Sequence, residues 1–139
     1  MAGYIAPARD WKRFENVWTK TLLSAGLPLG VPFHMADFVA RRKPFDWPDR
    51  KRDAVFKKLI AIMSRYIHFG IAIGIVQADY SEVAATVAEP ASAYTFCTIR
   101  CLVNLGKWAR SHYPEDRIAY VFESGAGYTG EFYRHVRAN

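Results

Sequence analysis

A chain of 139 residues that is 51% hydrophobic and 15% aromatic carries enough apolar material to bury a core, which excludes an intrinsically disordered polymer. Its longest uninterrupted apolar run, Phe69 to Val76, falls far short of the roughly 20 residues that a bilayer-crossing helix needs, so no membrane span is expected. Arg9, Asp10, Lys12 and Arg13 break up the beginning of the chain before the apolar core of a secretory signal can form, which makes a cytoplasmic protein the expectation.

In chain order, Met1 to Ala6 is apolar and ends at Pro7, a short strand. From Asp10 the apolar positions become Trp11, Phe14, Trp18, Leu22 and Ala25, the repeat of an amphipathic helix that Asp10 starts and Gly26 stops. Trp11 and Trp18 share the stripe with Phe14 and Leu22, so both read as core anchors. Pro28, Gly30 and Pro32 form a loop into Phe33-His34-Met35-Ala36-Asp37-Phe38, where a helical backbone would put His34 and Asp37 on one face. A His and a carboxylate so placed can bind a metal or shuttle a proton; the alternative is a loop-filling His and an Asp opening a turn.

Pro48 suits a first helical turn, and the spacing of Val55, Leu59, Ile62, Met63 and Tyr66 predicts a long helix from about Asp49 to His68, ended by Gly70. Ile71 to Val76 follows as a strand apolar on both faces, expected inside a helix-covered sheet. Asp79 to Val83 reads as one helical turn. Another long helix, roughly Ser92 to His112, is expected to pack through Phe96, Ile99, Val103 and Trp108 until Pro114 stops it. Cys97 and Cys101, four apart in that helix, read as buried free thiols because no second Cys or His pair completes a zinc set. Ile118 to Phe122 then reads as a strand running into a glycine loop, with Glu123 at the point where strand becomes loop, and Gly130 to Arg137 as a final short helix. Ligands of open α/β sheets collect at such strand ends, which makes Glu123 the first site candidate.

The charge is concentrated. Between Arg41 and Lys58 lie eight basic and three acidic residues, so this segment supplies +5 of the net charge of +6. A local basic patch is what phosphate neutralisation requires, and Arg41, Arg42, Lys43, Arg50, Lys51 and Arg52 are its candidate nucleic-acid contacts. The other reading is a solvated basic helix start.

The element order is that of an α/β protein, one domain over 1–139, with three strands, parallel where helices connect them, and long helices to cover a small sheet. Gly3-Tyr4-Ile5-Ala6, Trp11 with Phe14 and Trp18, Phe33-His34-Met35-Ala36-Asp37-Phe38, Phe45 with Trp47, and Tyr120-Val121-Phe122-Glu123-Ser124-Gly125 together resemble the bacterial family catalogued as domain of unknown function 3800. The resemblance spans nearly the whole chain and implies a three-layer ribonuclease H-like fold, incomplete at both ends. Neither the Asp-Glu-Ser-Gly strand that members carry at their start nor the Gln-x-Ala-Asp helix at their end has a counterpart here.

The resemblance further implies metal-dependent phosphodiester hydrolysis with Mg²⁺ or Mn²⁺, with Glu123 as metal ligand and catalytic residue and His34 and Asp37 assisting. A two-metal site takes several converging carboxylates, so one Glu implies a catalytically incomplete chain. The alternative is a non-catalytic fragment that binds nucleic acid or protein through segment 41–58. A missing central strand would leave Met1 to Ala6 and Ile118 to Phe122 either paired directly or separated by a slot of roughly 9 to 10 Å, with unpaired edges that favour oligomers.

Overall fold

Pro7 fixes an extended backbone before the first long helix, and Gly26 releases the chain after it. In a computed structural model, which describes residues 1–88 and 90–122, this helix is α1 (Ala8–Ser24), preceded by strand β1 (Ala2–Ile5). Gly26 takes φ +87°, the left-handed conformation that glycine adopts without a Cβ clash. The amides of Gly26 and Leu27 then bond back to Leu23 and Leu22 at 2.9 and 3.0 Å, closing the last turn, with Leu22 and Leu27 both buried.

A short helix α2 (Met35–Val39) and a long helix α3 (Asp49–Tyr66) follow. Strand β2 (Phe69–Ala72), helix α4 (Gln77–Ala84) and helix α5 (Ala93–His112) complete the described elements. The two strands pair antiparallel: the Met1 amine donates to Ile73 O at 2.9 Å, Ile73 N to Met1 O at 2.8 Å and His68 N to Ile5 O at 3.0 Å.

The chain divides into two compact units, Ile5–Phe69 and Met1–Tyr4 with Gly70–Asn139. In the first, α1 packs on α3. The buried core is Leu22, Leu27, Phe38, Phe45, Val55 and Leu59 with their neighbours, and Phe14, Trp18 and Phe33 close over it. Aromatic rings run through it in series, Phe14 on Trp18 at 5.1 Å, Trp18 on Phe33 at 5.7 Å and Phe33 on Phe45 at 5.4 Å. Most of both sequence stripes is thus packed: Trp18 lies against this core as expected, whereas Trp11, half-buried, meets the edge of the stripe at Phe14, 5.3 Å between ring centroids.

In the second unit, Ser92 caps α5, its Oγ accepting from Thr95 N at 3.1 Å. The buried face of α5 runs through Cys97, Cys101, Leu105 and Ala109, with Thr95 and Thr98 beside it. This corrects the expected stripe, since Phe96 and Val103 are exposed. Small residues win the inner face because β1 lies close: a Cβ on Gly3 would sit 3.4 Å from Leu105 Cδ1, and Cys101 Sγ approaches Met1 O at 3.7 Å.

Three further expectations are revised. The long helix ends at Tyr66, two residues before the expected His68, because Ile67 turns to extended backbone, and Gly70 belongs to β2 rather than serving as the stop. β2 covers Phe69–Ala72 rather than 71–76, and it alternates half-buried with exposed residues, as one strand of a two-stranded ribbon must. Ile118 to Phe122 forms no strand; Tyr120 and Val121 are exposed, and β1 takes β2 as its partner. β-branched and aromatic residues make a strand only where a neighbour completes the backbone ladder. The architecture is mixed α/β with an antiparallel pair of strands in place of the parallel sheet. The final helix expected at Gly130 to Arg137 lies outside the described residues.

Candidate nucleic-acid interface

The Ile5–Phe69 unit holds 13 of the chain's 19 Lys and Arg residues and 6 of its 13 Asp and Glu residues, a net charge of +7. Folding sorts these cations into two groups. One is consumed within the unit. Arg41 and Arg52 both engage the Asp49 carboxylate, Arg52 at 3.3 Å, and Arg42 donates to Asp37 at 3.0 Å. Arg52 also donates to Phe38 O at 2.9 Å and lies over the Phe38 ring, its guanidinium carbon 5.0 Å from the centroid. Lys51 Nζ sits 4.4 Å above the ring of Trp47. These four are nucleic-acid candidates by sequence, and each has a structural partner.

The second group faces out. The core face of α3 is set by Val55, Leu59 and Ile62, so at 100° per residue the opposite face carries Arg50, Lys57, Lys58 and Arg65. All four are exposed, and Arg65 alone among them also lies over an aromatic ring, its guanidinium carbon 5.6 Å from the centroid of Tyr66. Ordered around the helix, Lys57 and Arg50 form one edge, Arg65 and Lys58 the other, and the exposed Ala54 and Ala61 lie between. From Arg50 to Arg65 the face is about 22 Å long at 1.5 Å per residue. Among the described residues no carboxylate lies within ion-pair distance of any of the four; the nearest in azimuth, Asp53, borders the Arg50 edge. Arg65 falls outside the basic segment of the sequence and was legible only from its helical spacing, fifteen residues after Arg50 and seven after Lys58. Lys43 is exposed in the loop after α2.

Of the expected catalytic residues, His34 and Asp37 both lie at the start of α2. His34 is exposed at the N-terminal boundary of α2, where its carbonyl accepts from Phe38 N at 2.9 Å. Asp37 lies in the first turn of α2, paired with Arg42. Glu123 lies outside the described residues. Among the described residues no group of three or more His, Cys, Asp or Glu side chains converges as a metal would require, so the described side chains do not fit a two-metal carboxylate site. Cys97 and Cys101 are free and buried, and burial pushes the Cys101 thiol up from its ordinary value, against the lesser opposing pull of the amino terminus.

No protein-family model matches the chain, and no curated protein or solved structure shows significant similarity to it. No helix among the described residues is long and apolar enough to cross a membrane.

Proposed function

We propose that the Ile5–Phe69 unit binds nucleic acid through its phosphate backbone, with the outward face of α3 as the contact surface. The observation that carries this reading is the set of four exposed cations, Arg50, Lys57, Lys58 and Arg65, spread along one helix face without carboxylate partners. Each Lys or Arg that docks on a phosphate releases condensed counterions, so such a face supplies affinity without needing a cleft or a cofactor. Phosphodiester hydrolysis in a ribonuclease H-like fold rests on the family resemblance and on Glu123; it draws no support from Asp37, whose carboxylate is engaged by Arg42.

The test is fluorescence anisotropy of a labelled mixed-sequence oligonucleotide titrated with the full chain over a range of salt. Four phosphate contacts give a slope of log affinity against log salt of about −3.6 on a duplex and about −2.8 on a single strand. Lys57→Ala with Lys58→Ala flattens that slope by roughly half, whereas Arg42→Ala leaves it unchanged. An unchanged slope in the double lysine variant refutes the assignment of this face.

A further inference from the structure

We infer that the nucleic acid this face fits is a B-form DNA duplex, held at the phosphates of both strands rather than through unstacked bases; the inference rests on the phosphate-binding reading above. Two observations carry it. The first is what the unit withholds. Single-strand binders track a backbone with cations and stack successive bases on exposed aromatic rings. None of the Trp, Tyr or Phe side chains of the Ile5–Phe69 unit is exposed. Trp47, the aromatic residue adjoining the start of α3, has Lys51 over its ring and Phe45 against it, at 4.4 and 5.8 Å. The rings that could stack on bases are committed to packing.

The second observation is the arrangement of the cations. They do not form a single file. Lys57 and Arg50 occupy one flank and Arg65 and Lys58 the other, with Ala54 and Ala61 along the crest between them. A helix with its side chains is about 10 to 12 Å across, and the major groove of B-DNA, about 12 Å wide, admits one. A crest of alanines lets the backbone of α3 descend into that groove, while long cationic side chains on both flanks reach the phosphates of its two walls. The A-form major groove of duplex RNA is too deep and narrow for this fit. The crest carries Ala54 and Ala61 in place of amide or guanidinium groups that could read base edges, so the expected binding is sequence-independent.

The experiment compares three labelled probes of one mixed sequence with the full chain at fixed salt: a 20-base-pair DNA duplex, the corresponding RNA duplex and one DNA strand alone. The DNA duplex is expected to bind about tenfold or more tightly than either of the others. Ala54→Glu with Ala61→Glu places carboxylates on the crest at only a small loss of helix propensity, and is expected to abolish duplex binding while the far-ultraviolet circular dichroism stays unchanged. A single strand or an RNA duplex that binds as tightly as duplex DNA overturns the groove inference but leaves phosphate binding standing. Retained duplex binding in the folded double glutamate variant also overturns it. Failure of all three probes to bind refutes the parent reading instead.

Discussion

Arg52 separates a structural cation from a binding one, and its removal gives the sharpest energetic expectation. Its side chain is 14% exposed and does three things: it donates to Phe38 O at 2.9 Å, reaches Asp49 at 3.3 Å and covers the Phe38 ring at 5.0 Å. Arg52→Ala leaves the Phe38 carbonyl without its charged donor, a loss of about 1.5 to 3 kcal/mol. The ring contact adds about 0.5 to 1 kcal/mol. The Asp49 pair adds little, because that carboxylate is 67% exposed and solvent screens it. Against this, Arg52 Nε is buried without a hydrogen-bond partner, and deleting it relieves roughly 1 kcal/mol or more. The balance is a destabilisation of about 2 kcal/mol. At a urea dependence of about 2 kcal/mol per molar, the unfolding midpoint falls by about 1 M. Arg52→Lys recovers part of the loss, since an ammonium can still donate to the carbonyl but cannot lie flat on the ring. Tryptophan fluorescence during urea unfolding measures both variants. A midpoint within about 0.25 M of the parent chain, together with a flatter salt dependence of DNA binding, would refute the structural assignment and return Arg52 to the interface.

Two further expectations concern the backbone and the buried thiol. Arg41 adopts φ +55°, a left-handed position just past α2 that glycine occupies more easily, so Arg41→Gly should be more stable than Arg41→Ala by about 1 kcal/mol in the same urea assay. Equal stability of the two variants would show that the conformation carries no strain. The Cys101 thiol is raised above its ordinary value of 9.0, chiefly by burial, so the folded chain holds this proton at a pH where the unfolded chain has lost it. Its contribution to stability is therefore full below about pH 9 and is lost as pH rises beyond it. Thermal melts from pH 7 to 10 should show a steeper alkaline decline for the parent than for Cys101→Ala; parallel declines would remove the thiol from the account.

The helices were legible because their apolar periods are strong and ends such as Gly26, Pro48 and Ser92 act locally, although α1 begins at Ala8 and Asp10, expected to start it, lies within its first turn. Sheet pairing is a choice between distant segments, and local composition does not make it. Ile118 to Phe122 reads as a better strand than Phe69 to Ala72 by residue type, yet only the latter is paired with β1. The inner face of α5 was misjudged for a related reason, because Cys101 and Leu105 win burial over Phe96 through the closeness of β1, which no pattern within the helix announces. In the basic segment, composition located the charge but not its availability. Arg42 and Arg52 are cations in the sequence and internal ties in the fold, whereas Arg50, Lys57, Lys58 and Arg65 emerge only when the helix is wound. Glu123, the leading residue of the sequence reading, lies outside the described residues.

The closure of the helical unit at its own ends makes it portable. Ile5 O accepts from His68 N at 3.0 Å, and His68 Nε2 lies 3.3 Å from the Asp10 carboxylate, so the chain leaves this unit within hydrogen-bonding distance of where it entered. A segment whose ends meet can be lifted out and spliced into a surface loop of another host, or have its ends joined and a new pair opened elsewhere, with little conformational entropy lost in either operation. The strand residues it leaves behind are antiparallel neighbours, which a two-residue Asn-Gly turn can bridge as a hairpin. The helical insert is in this sense a cassette whose two ends are tied to each other by the His68 N to Ile5 O hydrogen bond.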